Sequence, residues 1–169
     1  IIIAMDISGS MLAQDLKPNR LDASKKLAID FIKQRKDDRI GLVIFSGRSF
    51  TQCPLTTDKT AVVNLFNDIE YGMIDDGRTA IGDGLGTSIN RLKDSKTKSK
   101  IVILLTDGEN TAGKISPLTV ADIAASDSIN IKIYTIGIGT KGMAKSPVYI
   151  DLNGRFVYDY VEVKIDEKT

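Results

Sequence analysis

A chain of 169 residues, 42% hydrophobic and 27% charged, is long enough to bury one sizeable core and carries no excess polar tract. Its 23 basic and 22 acidic residues leave a formal charge of +1, which supplies no global field for nucleic acid. The absence of histidine excludes Ser-His-Asp hydrolysis, and the single cysteine, Cys53, has no partner for an internal disulfide.

The chain opens on the apolar run Ile1-Met5, followed at once by Asp6-Ile7-Ser8-Gly9-Ser10. A β-branched apolar run bounded by Gly and Ser reads as a buried strand, and open α/β sheets present the C-terminal ends of such strands to ligands. One carboxylate and two hydroxyls therefore emerge together where a site is expected. Asn19 is placed to cap a helix whose apolar stripe is Leu21, Leu27, Phe31 and Ile32. Ile40-Phe45 reads as the next buried strand. Ser46-Gly47-Arg48-Ser49 then turns into a short strand around Phe50-Cys53, too close for a parallel crossover and so an antiparallel edge.

Thr57 or Asp58 caps a helix carrying Val62, Leu65, Phe66 and Ile69. Gly77-Arg78-Thr79 leads into a further helix with the stripe Ile81, Leu85, Ile89 and Leu92, which puts Thr79 at a loop-to-helix junction. A second buried run, Ile101-Leu105, ends in Thr106-Asp107-Gly108. Ser116-Pro117 opens a helix to about Ala125, and Ile129-Ile138 supplies another strand. Asn153-Gly154, between Val148-Leu152 and Arg155-Tyr160, is a type I′ hairpin signal, and Asp166-Thr169 reads as the start of a helix. Alternating strands and helices predict an α/β fold: a doubly wound, mostly parallel sheet with one short antiparallel edge strand, plus a β-hairpin near the C-terminus. With no repeat or linker, residues 1–169 read as a single domain. No apolar run reaches the roughly 18 to 20 residues needed to span a bilayer.

Asp6, Ser8, Ser10, Thr79 and Asp107 form an oxygen-only donor set, which suits a hard cation such as Mg²⁺. Each also has an ordinary alternative: Ser8 and Ser10 can cap the next segment, Thr79 the helix at Ala80, and Asp107 can close the turn at Gly108-Glu109. Their combination after successive strands favours the metal. Other motifs are weaker. Gly137-Ile138-Gly139-Thr140-Lys141-Gly142 fits G-x-G-x-x-G, but Pro147 and the hairpin occupy the place of a dinucleotide-binding helix. Asp151-Leu152-Asn153-Gly154 lacks the glycine and glutamate spacing of a calcium loop. Arg91, Lys93, Lys96, Lys98 and Lys100 have no interleaved aromatic residue and read as a solvated stretch.

D-x-S-x-S after the first strand, the threonine of G-x-T and T-D-G after a central strand resemble the metal-ion-dependent adhesion site of von Willebrand factor type A domains. Asp6, Ser8, Ser10, Thr79 and Asp107 match its five positions. Ile40-Ser46, Thr79-Leu85, Ile101-Asn110 and Tyr134-Gly142 further resemble the bacterial membrane-associated Bat (aerotolerance, BatA-like) group. The resemblance implies a non-enzymatic module that binds a divalent cation, Mg²⁺ ahead of Mn²⁺ or Ca²⁺, and uses an open coordination position to capture an Asp or Glu of a protein partner. It also implies hydroxyl ligation through Ser8, Ser10 and Thr79, with Asp6 and Asp107 acting through waters or hydrogen bonds. The chain is then expected to be the soluble piece of a longer membrane-anchored protein facing the periplasm, alongside other Bat proteins and a MoxR-type ATPase. The rival is a Mg²⁺-dependent phosphoryl-transfer enzyme with Asp6 as nucleophile. The haloacid-dehalogenase-like pattern, however, expects a second Asp where this chain has Ser8.

Overall fold

The computed structural model describes residues 1–74 and 77–163; the helix start expected at Asp166-Thr169 lies outside them. The elements in chain order are β1 (Ile2–Asp6), a 3-10 turn (Gly9–Leu12), α1 (Arg20–Lys33), β2 (Ile40–Phe45), β3 (Ser49–Thr56), α2 (Lys59–Asn67), α3 (Ile81–Leu92), β4 (Ile101–Thr106), α4 (Pro117–Ala125), β5 (Lys132–Gly137), β6 (Gly142–Ile150) and β7 (Phe156–Val163). Five strands form one sheet in the order β3-β2-β1-β4-β5, parallel except for the edge strand β3, while β6 and β7 form a separate antiparallel ribbon. This is the expected doubly wound architecture. Its centre is β1, buried along its whole length between β2 and β4.

The two-residue alternation of the strands divides the core between the sheet's faces. Ile3, Met5, Leu42 and Ile44 pack with Leu21, Ala28, Ile32, Val62 and Phe66 on the α1 and α2 side. Ile2, Ala4, Val43 and Phe45 pack with Ile81, Leu85, Ile89, Val120 and Ala124 on the α3 and α4 side. Fully burying side chains of this size contributes roughly 1.5–3 kcal/mol each. Caps fix two of the helix starts. Asn19 Oδ1 accepts from the Asp22 amide at 2.8 Å, and Asp58 Oδ1, the alternative taken over Thr57, accepts from the Ala61 amide at 2.9 Å.

Several local expectations are corrected. In α1 the buried face is Leu21, Ser24, Ala28 and Ile32, whereas Leu27 is 46% exposed and Phe31 only partly buried. Small side chains face the sheet, and the Ser24 hydroxyl is satisfied by the Arg20 carbonyl at 2.8 Å. The edge strand β3 is longer than expected and contains Pro54; its pairing with β2 is irregular on either side of Leu42. In α4, Ser116 stands at the N-cap without a side-chain cap bond. β5 begins only at Lys132, because the Ile129 amide is turned back onto the Ser126 carbonyl.

The ribbon turn also departs from type I′. Gly154 has φ +76, but Asn130 is the only non-glycine residue at positive φ among the described residues, so Asn153 lacks the left-handed backbone that type requires. The Asp151 carboxylate organises the loop instead, with Oδ1 accepting from the Asn153 and Arg155 amides at 2.8 Å each.

Leu27 and Phe31 line an apolar cleft of about 370 Å³ with Ile3, Tyr134 and Ile136, which contains none of the five candidate residues. Removing side-chain volume there leaves no sealed void. Ile32→Ala is therefore expected to cost about 2–5 kcal/mol in urea denaturation, and Leu27→Ala less than about 1 kcal/mol. Equal losses would mean that α1 presents its sequence-derived stripe to the sheet after all.

Candidate functional site

Parallel pairing puts Met5 opposite Leu105 and so brings Asp6 beside Thr106. The Thr106 hydroxyl donates to Asp6 Oδ2 at 2.6 Å, and the Ser8 amide donates to Asp6 Oδ1 at 2.9 Å. Ser8 stands at the N-cap of the 3-10 turn without making a side-chain cap bond; its hydroxyl lies 3.1 Å from that of Ser10. The capping alternative for Ser8 is thus not used. Asp6 is fully buried, and Ser8 nearly so.

Thr79 is carried to the same edge by its backbone. The Ser46 hydroxyl, just past β2, donates to the Arg78 carbonyl at 2.8 Å, and the Ala80 amide donates to the Ser46 carbonyl at 2.7 Å. On the other flank the Thr79 carbonyl accepts from the amides of Thr111 and Ala112 at 2.9 Å, and its amide donates to the Thr111 hydroxyl at 3.0 Å. The segment is therefore suspended between the chain leaving β2 and the chain leaving β4, the two neighbours of β1. Thr79 does not cap α3. Ala80 occupies the N-cap position, and Asn110 Oδ1 accepts from the Ile81 amide at 2.8 Å.

Asp107 does not close the turn at Gly108; the Gly108 amide bonds to the Thr106 hydroxyl at 3.1 Å. Asp107 Oδ2 accepts instead from Arg20 Nη1 at 3.0 Å, and its Oδ1 is buried without a hydrogen-bond partner. An unsatisfied buried polar atom of this kind costs about 1–3 kcal/mol. Arg20, only 2% exposed, also grips Asp15 through Nε and Nη2, both at 2.8 Å. Thr140 completes the array, its amide donating to Asp15 Oδ2 at 2.7 Å.

These contacts set the charges. Burial and the neighbouring Asp107 carboxylate push Asp6 up to about 7, against the hydrogen bonds from Thr106 and Ser8. Burial also opposes ionisation of Asp15, but the Arg20 and Thr140 bonds outweigh it and hold that carboxyl at about 2. Burial disfavours the Arg20 cation too, yet its two carboxylate partners raise its pKa above the ordinary value.

The sequence reading did not assign roles to Thr106, Arg20, Asp15 or Asn110. Thr106 was visible inside T-D-G. Arg20 follows a helix cap and resembles any solvated first-turn arginine, so only tertiary packing distinguishes it. A groove of about 420 Å³ opens beside this edge, lined by Ser10, Arg20, Asp107, Glu109, Ser146 and Glu162. The all-oxygen donor set and the orphaned Asp107 oxygen fit a hard divalent cation. Among the described residues no three His, Cys, Asp or Glu side chains cluster as metal ligands, so such a site depends on hydroxyls backed by two carboxylates.

The von Willebrand factor type A domain model matches residues 1–109, from the first strand through Asp107. The chain belongs to the von Willebrand factor type A family. A Borreliella burgdorferi relative of this domain is 37% identical over 141 residues, 83% of this chain and 40% of its own length. The domain thus spans less than half of that relative. Two solved structures superpose with TM-score 0.83 over 98% of the domain: an aerotolerance-related membrane protein from Bacteroides fragilis, 27% identical with 81% of its chain covered, and BatB from Bacteroides thetaiotaomicron, 30% identical with 80% covered. A mussel byssus matrix protein with a zinc-occupied adhesion-site motif is 26% identical with TM-score 0.68, over 80% of this domain and 34% of its chain. No helix among the described residues is long and apolar enough to cross a membrane.

The raised Asp6 carboxyl gives the metal-free domain a testable pH response. The folded state holds this proton more tightly than the unfolded chain, so its stabilising effect is complete below about pH 4 and lost as pH rises through about 7. Asp15 acts oppositely, its contribution fading only as pH falls from about 4 through about 2. Melting of chelator-treated protein should therefore decline from about pH 5 to about pH 8, and Asp6→Asn should flatten the decline. An unchanged slope in the variant would assign the response to other groups.

Proposed function

We propose that this domain is a non-enzymatic, divalent-cation-dependent protein-interaction module that captures an acidic side chain of a partner. Asp6, Ser8, Ser10, Thr79 and Asp107 hold the cation, Mg²⁺ ahead of Mn²⁺ or Ca²⁺. The observation that carries this reading is the Asp107 carboxylate, whose Oδ1 is buried and unpartnered at the strand end beside Asp6. Two carboxylates crowded there repel each other; a cation relieves the repulsion, and a water it carries gives the orphaned oxygen a donor.

The chemistry supplied by a bound ion is electrostatic attraction for a partner carboxylate. Hydroxyl ligands leave its charge under-neutralised, and opposite unit charges at ~4 Å are worth roughly 4 kcal/mol at an effective dielectric of 20, compared with about 0.5–1.5 kcal/mol for a typical hydrogen bond. The domain's own residues contribute by fixing donors and excluding water. Ser8 and Thr106 hold Asp6 at the strand end, and the chains leaving β2 and β4 pin Thr79. Phosphoryl transfer is disfavoured by the same geometry: Asp6 is 0% exposed and both its oxygens are held by hydrogen bonds, so the carboxylate is not presented in the open for attack on phosphorus.

The likeness to BatB and to an aerotolerance-related membrane protein supports a wider setting for this reading. The domain belongs to a longer bacterial membrane-anchored protein, faces the periplasm and works in an envelope or stress complex with other Bat proteins and a MoxR-type ATPase.

Calorimetry should show Mg²⁺ and Mn²⁺ binding by the wild type, weakened at least about tenfold in Asp6→Ala, Ser8→Ala and Thr79→Ala while cooperative unfolding is retained. Absence of binding at millimolar ion would overturn the metal site. Partner capture should fall both with chelator and on neutralising the partner's acidic residue. Undiminished capture of a verified partner under chelation would place the interface elsewhere.

A further inference from the structure

We propose that Arg20 is a positioning residue that holds Asp107 out of direct metal coordination, and that the root of the β6-β7 ribbon sets its grip. The inference rests on the metal-dependent reading above. Arg20 stands at the first position of α1, nearly excluded from solvent, and its guanidinium divides its donors between two carboxylates. Nη1 bonds Asp107 Oδ2 at 3.0 Å, while Nε and Nη2 form a parallel fork with the two oxygens of Asp15 at 2.8 Å. A planar fork of this kind fixes orientation as well as charge.

The third side of the clamp is backbone. Gly139, in the connection from β5 to β6, has φ +135, and a Cβ there would fall 2.7 Å from Cζ and Nη2 of Arg20. The next residue, Thr140, donates through its amide and its hydroxyl to Asp15 Oδ2 at 2.7 and 3.2 Å. The chain entering the ribbon therefore presses on one face of the guanidinium and ties down its counter-ion. A separate bond from the Gln14 amide to the Lys145 carbonyl at 2.8 Å joins β6 to the segment between the 3-10 turn and α1.

This arrangement decides what Asp107 can do. Oδ1 is free to accept from a water carried by a cation, but swinging the whole carboxylate inward to reach the ion itself breaks the Oδ2 bond and strands a buried guanidinium donor. With Arg20 clamped, the ion keeps its excess positive charge for a partner's carboxylate. When the clamp loosens, Asp107 becomes a direct ligand: the ion is held more tightly and attracts the partner less. The two affinities move in opposite directions. A residue that merely supports the fold moves both the same way.

The test uses Mn²⁺ as the metal and acetate as the carboxylate probe on the wild type, Arg20→Gln, Asp15→Asn and Gly139→Ala. These variants remove the guanidinium's charge, neutralise its counter-ion and drive a methyl against its face respectively, and Asp15→Asn retains side-chain volume should either of the others fail to fold. Calorimetry should show Mn²⁺ binding about three- to tenfold tighter in the variants, with acetate binding to the loaded protein at least about tenfold weaker. Water-proton relaxation of bound Mn²⁺ should report about one fewer coordinated water as Asp107 takes its place. Weaker Mn²⁺ binding with an unchanged water count in the folded variants would reduce Arg20 to a structural role and overturn the proposal. A wild type that binds no Mn²⁺ would instead remove the metal-dependent reading itself, and this inference with it.

Discussion

Two carboxylates, Asp6 and Asp107, lie buried at the ends of adjacent parallel strands, and the rest of the site is organised around making that tolerable. In such surroundings a negative charge is costly, and a second one beside it more so. The fold answers with donors of different strength. Asp6 receives an amide and a hydroxyl, whereas Asp107 receives a guanidinium on one oxygen and nothing from the protein on the other. The asymmetry separates the two carboxylates functionally: Asp6 is fixed on both oxygens, and Asp107 has capacity left over.

The same constraint explains the connections. Strand β1 sits between β2 and β4, so the chains leaving these neighbours flank its C-terminal end. Thr79 belongs to neither strand, yet it is tethered to both chains through Ser46 and through Thr111 and Ala112. Asn110 supplies a cap bond to α3 from across the edge, so the Ile81 amide at the start of that helix is satisfied by the segment that also anchors Thr79. Helix start and candidate site share one hydrogen-bond network.

Much of this architecture is legible in the sequence because strand burial and chemistry repeat the same message. Ile1-Met5 and Ile101-Leu105 are apolar without interruption, and each is followed by an acidic residue and hydroxyls. Their adjacency follows from requiring those carboxylates near one place, and their pairing meets that requirement. The failures are of a different kind. Leu27 and Phe31 fit a helical stripe, but the face that is buried carries Ser24 and Ala28, small residues that an apolar pattern does not mark. Asn153-Gly154 suggested two left-handed residues, but the Asp151 carboxylate stabilises another loop. Arg20 was illegible because the partner that ties it to the site is remote along the chain: Asp107 lies 87 positions away.

The irregular pairing of β3 bears on how the domain avoids unwanted company. An outer strand exposes a row of main-chain donors and acceptors that another chain can extend into a continuous sheet. Here that row is interrupted. Pro54 contributes no amide hydrogen, and the register shifts around Leu42 bend the strand away from an even ladder. Strand addition on this flank is therefore discouraged, which leaves β5 as the sheet's regular outer ladder.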